Sequence, residues 1–153
     1  MKMIFNEKKS SILNCNFGKN VTVITPSNLY SAEISDDVFI GPFVEIQKGV
    51  KIGSRTRIQS HSFVCELVII GSDCFIGHGV MFINDKFCDG SPAKGDKSKW
   101  KETILDSNVY IGSNATILPV RICANVVIGA GSVVVKNIDK PGTYAGNPAV
   151  RIK

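Results

Sequence analysis

A chain of 153 residues with 44% hydrophobic content falls in the range of one domain with a real core. No apolar run approaches the roughly 18 residues of a membrane span, and the opening MKMIFNEKKSS lacks the apolar centre of a signal peptide, so the expectation is a cytoplasmic protein with no membrane partner. The formal charge of +5 favours anionic ligands; with no basic run interleaved with aromatics, phosphorylated small molecules fit it better than nucleic acid.

Residues 1–33 keep no steady period: Val23 and Leu29 are six apart, whereas Leu29 and Ile34 are five. They read as an irregular first coil that covers the open end of the regular repeats. Lys8 and Lys9 read as solvated surface. From Ile34 the pattern sharpens. An aliphatic or aromatic residue stands at every sixth position, at Ile34, Ile40, Ile46, Ile52, Ile58, Val64, Ile70, Ile76 and Phe82. Two residues ahead of each runs a second series of small or β-branched residues: Val38, Val44, Val50, Thr56, Ser62, Val68, Cys74 and Val80. A period of six fits neither an amphipathic helix nor one long strand. It fits a short strand and a turn, with both apolar positions on one face. Gly41, Gly53, Gly71 and Gly77 come directly after their anchors and suit tight corners. Repeated corners wind the chain into an all-β solenoid, a parallel β-helix whose rungs bury their faces by stacking.

The repeat breaks at residues 84–103. This stretch has no hexad period and carries Gly90, Pro92, Gly95 and eight charged residues between Lys86 and Glu102. It reads as one long protruding loop, of the kind that is usually functional or disordered, with Trp100 as its anchor on the scaffold or as a residue that stacks on a ligand. The period resumes at Leu105, Ile111 and Ile117, takes a five-residue step across Pro119 to Ile122, and continues through Ile128 and Val134. Residues 136–153 read as a C-terminal extension, with Pro141 and Gly142 ending the coils. Five widely spaced cysteines without a CxxC pair suggest neither a disulfide framework nor a metal site.

The stretches VFIGPFVEIQKGVKIG, IGSNATILP, VVIGAGSVV and YAGNPAVRIK resemble the hexapeptide-repeat acyltransferases over about residues 23–153. The resemblance implies triangular coils of 18 residues, a left-handed winding against the usual crossover rule, a homotrimer, and acetyl-CoA as co-substrate with no metal. The segment Gly146–Ala149, which includes Pro148, matches the exit of the coenzyme A groove. Ser113, Ala130 and Ser132 are small enough to let a pantetheine arm approach, and Lys136, Arg151 and Lys153 read equally as partners for the coenzyme A phosphates or as an ordinary basic tail. The family usually has Gly after the residue matching Pro119; its absence here implies a tightened corner.

Coils of 18 residues place Lys48, Glu66 and Asn84 in one column, each two positions after its anchor, and His61 over Gly79 beside His78. The column reads either as a surface ladder in which Lys48 pairs with Glu66 or as the polar wall of a cleft.

RIQSHSFVCELVIIG, IGHGVMFINDKF and WKET are similar to the nucleotide-sugar N-acetyltransferases, which acetylate the 3-amino group of UDP- or dTDP-linked amino sugars for surface polysaccharides. This implies direct attack by the amine. Asn84 orients the reactants, and the departing thiolate accepts the proton. The catalytic candidates are Asn84 and His78, the latter as a base or hydrogen-bond partner. His61, Glu66, Asp85 and Lys48 are the substrate-binding candidates, with Asp85 reading equally as a loop cap. A γ-type carbonic anhydrase needs three histidine ligands and the chain has two. An O-acetyltransferase acting on a serine or simple-sugar hydroxyl, which needs a base, and a non-catalytic β-helix scaffold are the other readings.

Overall fold

The computed structural model describes residues 12–153; Lys8, Lys9 and the beginning of the irregular first coil lie outside the described residues. Among the described residues the strands form three sheets, of seven, six and eight strands, and as far as Val133–Val134 every third strand along the chain joins the same sheet. The result is a three-sided, left-handed parallel β-helix. The first face carries the anchors Leu29, Ile46, Val64, Phe82, Ile117 and Val134. On the second face are Phe17, Ile34, Ile52, Ile70, Leu105 and Ile122, and on the third are Val23, Ile40, Ile58, Ile76, Ile111 and Ile128.

Register gives the coil length. Glu33, Lys51 and Ile69 stand side by side at intervals of 18 residues, Ile104 comes after 35 more, and Arg121 after 17. The loop is thus an insertion of about one coil at the edge between the first and second faces, and the short step across Pro119 holds its register at that same edge. Anchors from Ile34 to Phe82 are at most 3% exposed, and the second series is buried with them. Full burial of such a side chain contributes about 1.5–3 kcal/mol, and stacking is the only way these two-residue strands obtain it. The two polar members of the second series are satisfied between coils: Thr56 Oγ1 donates to the Gly71 carbonyl at 2.9 Å and Ser62 Oγ to that of Gly77 at 2.8 Å.

The corners show why glycine follows the anchors. Gly41, Gly53, Gly71 and Gly77 do not have the left-handed backbone. They are small because the next coil passes against them: a Cβ on Gly53 would lie 2.5 Å from the Gly71 carbonyl carbon. The left-handed residue stands three positions before each anchor, at Asp37, Phe43, Gly49, Arg55, His61, Leu67, Asp73 and Gly79. Corner residues 18 apart therefore form ladders, such as Arg55 with Asp73, whose two hydrogen bonds are both 2.7 Å long.

Pro141 and Gly142 do not end the coils. Gly142–Ala145 adds a further strand to the third face, beside Val126–Ile128, and Val150–Arg151 returns antiparallel to it. The turn between them lies against the last strand of the first face, where Val133 donates to the Gly146 carbonyl and Ala149 to that of Val133. An otherwise unpaired edge is thereby covered.

Candidate active site

The edge between the first and second faces gathers most of the predicted polar residues. Asn84 leaves its strand there, and its side-chain amide donates to the Glu66 carbonyl at 3.2 Å. The stem of the loop closes directly above, where Lys101 N–H donates to the Asn84 carbonyl at 2.9 Å. Glu66 N–H donates to Gln47 Oε1 at 3.2 Å, and Gln47 donates to Glu45 at 3.0 Å. Lys48 belongs to the same column but is exposed and does not pair with Glu66. The partner of Glu66 is Lys97, brought in by the loop with Nζ 2.6 and 2.9 Å from the two carboxylate oxygens. Trp100 fixes that lysine, its ring centroid 5.2 Å from Nζ.

Asp85 shapes the loop. One carboxylate oxygen accepts from Phe87 N–H at 3.0 Å and the other from Ala93 N–H at 2.7 Å. Tyr30 completes the wall: burial and the nearby Glu45 and Glu66 carboxylates push its phenol above the usual range. Tyr30, Gln47 and Lys97 escape sequence reasoning. Tyr30 lies in the irregular coil and Lys97 in the aperiodic loop. Gln47 had a signal, since it directly precedes the Lys48 position of the column.

His78 stands at the next edge, between the third and first faces. Its Nδ1 is 2.9 Å from Ser60 Oγ, and the coil register continues the column Ser60, His78, Ser113, Ala130. Asn84 and His78 occupy opposite ends of the strand Met81–Phe82, so the two catalytic candidates do not meet within one chain. His61 lies on the same edge as His78, in the corner ladder one position along, and stacks on Phe43 with ring centroids 4.9 Å apart.

Ser132 is fully buried, and its Oγ accepts from Gly146 N–H at 3.1 Å. It seats the closing turn that carries the exposed Pro148. Lys136 comes just after the last strand of the first face, whereas Arg151 and Lys153 lie at the hairpin on the third, where Arg151 donates to the Pro141 carbonyl at 3.3 Å. Among the described residues no three His, Cys, Asp or Glu side chains converge as a metal site.

Three of the cysteines are poor nucleophiles. Burial pushes the Cys65 thiol from 9.0 up to about 12 and raises Cys74 and Cys123 as well. A folded-state pKa above the unfolded value means stability that is complete below about pH 9 and declines as pH rises through about 12. Chemical denaturation between pH 8 and pH 11 is expected to show this fall, with Cys65→Ala flattening the profile. At pH 8 a thiol reagent is expected to label the exposed Cys88 in the native protein and Cys65 only after unfolding.

Residues 31–66 match the family model for the bacterial transferase hexapeptide (six repeats), and residues 103–136 match the hexapeptide repeat of succinyl-transferase. The chain is a hexapeptide-repeat protein. Its curated relatives include the bifunctional protein GlmU of Streptococcus uberis, 30% identical over 93% of this chain and 32% of the relative. The hexapeptide-repeat chain thus spans about a third of the length of the curated relatives it matches. Among solved structures, a mutant of AntD, an N-acyltransferase from Bacillus cereus in complex with dTDP and coenzyme A, is 25% identical, with a TM-score of 0.80 over 92% of this chain and 83% of that one. A hexapeptide-repeat-containing acetyltransferase from Vibrio cholerae, complexed with acetyl coenzyme A, shares the fold at 20% identity, with a TM-score of 0.65 over 93% of this chain and 71% of that one.

Proposed function

We propose that this hexapeptide-repeat protein is an acetyltransferase that moves the acetyl group of acetyl-CoA to the 3-amino group of a UDP- or dTDP-linked amino sugar. The observation that carries the reading is the arrangement under the loop. The Asn84 amide is held on the Glu66 carbonyl, beside a carboxylate only 20% exposed, and the histidines lie at a different edge. Within one chain such a site can position an amine and has no imidazole beside it to activate a hydroxyl. Its likeness to AntD, whose structure holds dTDP and coenzyme A, supports a nucleotide-linked acceptor.

In this mechanism Asn84 Oδ1 accepts a hydrogen bond from the acceptor amine and aims its lone pair at the thioester carbonyl carbon. The C–N bond forms, the C–S bond breaks, and the coenzyme A thiolate leaves with the proton the amine gives up. A neutral amine is nucleophilic enough for this, so orientation supplies much of the rate. Asp85 sets the loop, while Glu66, His61 and Lys48 are assigned to the sugar nucleotide. Ser113, Ala130, Ser132 and Pro148 are assigned to the pantetheine path, and Lys136, Arg151 and Lys153 to the phosphates. We assign a cytoplasmic location, where both substrates occur, a role in surface polysaccharide synthesis, and a homotrimeric assembly. The exposed apolar ladder of Phe75, Tyr110 and Val127 on the third face supports an assembly that covers it.

One observation favours a second reading. Ser60 engages Nδ1 of His78, which shares its column with Ser113 and Ala130, and among the described residues Nε2 has no hydrogen-bond partner, an arrangement suited to deprotonating a hydroxyl. A thiol-release assay with acetyl-CoA separates the two. Turnover is expected with a UDP- or dTDP-linked 3-amino sugar and not with serine or a plain sugar alcohol; turnover confined to hydroxyl acceptors establishes O-acetylation. Coenzyme A binding without turnover of any acceptor leaves the amino-sugar reading without support, and failure to bind coenzyme A leaves a scaffold.

A further inference from the structure

Phe43 and His61 form an exposed aromatic stack in a place where aromatic residues are structurally costly. Both sit at left-handed corners, φ 59° and 63°, a conformation that bulky side chains adopt only under constraint. The other corners are mixed: Asp37, Gly49, Asp73 and Gly79 avoid this cost, whereas Arg55 and Leu67 also bear it. The expense is not repaid by burial, since Phe43 is 56% exposed. One side of the Phe43 ring faces His61, with an interplanar angle of 28°. On the other side, one coil back, a cleft of about 230 Å³ opens between Pro26, Ser27 and Asn28 and the segment of Phe43, Val44 and Glu45. That volume is below the range of about 300–1,000 Å³ typical of pockets that enclose whole ligands, and suits a single heterocycle.

We propose that this cleft holds the pyrimidine base of a nucleoside diphosphate, stacked on the free side of Phe43 to extend the Phe43–His61 column. The proposal deepens the amino-sugar reading and rests on it. Stacking on aromatic side chains with hydrogen bonds to the base edge is the general way proteins hold an unpaired base. Asn28 offers an amide donor and acceptor side by side, matching the carbonyl and N3–H of uracil or thymine. Glu45, which also lines the cleft, is turned towards Gln47, from which it accepts at 3.0 Å. The strand Phe63–Val64 runs from the edge of His61 towards Glu66, so a ligand laid across the first face has its base at one edge and its sugar under the loop at the other. The small residues Ser113 and Ala130, assigned to coenzyme A, lie further along the solenoid, which leaves this end to the acceptor.

Calorimetric titration of the full chain tests this with dTDP, UDP, inorganic pyrophosphate and coenzyme A, comparing the natural protein with Phe43→Asn and His61→Asn. Asn tolerates the left-handed backbone, so Phe43→Asn is expected to raise the melting temperature while weakening dTDP and UDP binding about tenfold or more. Pyrophosphate and coenzyme A affinities are expected to stay unchanged. Undiminished nucleotide binding by Phe43→Asn overturns the platform and leaves the amino-sugar reading standing. Loss of coenzyme A affinity in its place shows that the ring held there is adenine, which also overturns the proposal. If the natural protein binds neither dTDP nor UDP and acetylates no nucleotide-linked amine, both the platform and the reading beneath it fail.

Discussion

Asn84→Ala is expected to lower turnover of a nucleotide-linked amino sugar by about 100-fold or more, the scale of effect when a reactant loses its orientation, with the fold intact. The side chain makes a single 3.2 Å hydrogen bond to the Glu66 carbonyl, so its removal costs only about 1 kcal/mol of stability. The loop stem survives because Lys101 bonds to the backbone carbonyl of Asn84, which alanine retains. His78→Ala supplies the contrast. It removes the 2.9 Å contact with Ser60 at the other end of the strand, and is expected to retain more activity than Asn84→Ala. Steady-state kinetics on both variants, with matched thermal melts, decides the ranking. If His78→Ala is the more damaged enzyme, direct amine attack without a histidine base is the wrong mechanism.

The largest stability effect is expected from a single methyl group. In Gly53→Ala the new Cβ would meet the Gly71 carbonyl carbon at 2.5 Å and Ser72 N at 2.6 Å, both backbone atoms of the next coil. No side chain can swing aside, so the coils must separate locally, with a loss of about 3 kcal/mol. Gly49→Ala is the control. Its glycine has φ 78°, and an added Cβ there would meet nothing within 4 Å, so only the left-handed backbone is penalised, by about 1–2 kcal/mol. Urea denaturation of the two variants is expected to order them Gly53→Ala below Gly49→Ala; the opposite order shows that the coils separate at Gly53 at less cost than the left-handed backbone imposes at Gly49.

These two glycines also show why the scaffold was more legible in sequence than the site. Anchors such as Ile40, Ile58 and Ile76 recur because every coil presents the same inward position, and a linear period records that repetition directly. Gly53 was visible as a recurring residue, but its reason was not. Contact with Gly71 depends on three-dimensional stacking, and the left-handed turn stands elsewhere, at residues three places before each anchor. The column of Glu66 and Asn84 emerged from coil length. Its completion by Lys97 did not, because the loop folds through its own contacts, Asp85 with Ala93 and Asp96 with Ser98, which obey no period. Lys48 marks the same limit: the arithmetic placed it in the column, but could not tell which cation Glu66 would choose.

The three-sided winding has a further consequence for how such a chain can change length. Each hexad turns the backbone by a third of a revolution, so the identity of an edge is a matter of phase. Adding or removing three hexads upstream of Asn84 shifts the loop along the axis and returns it to the same edge. Adding one or two between Glu66 and Asn84 carries it round to a different side, away from Glu66 and the wall that meets it. Coil number can therefore vary freely only in whole revolutions, and the loop keeps time for all the rest.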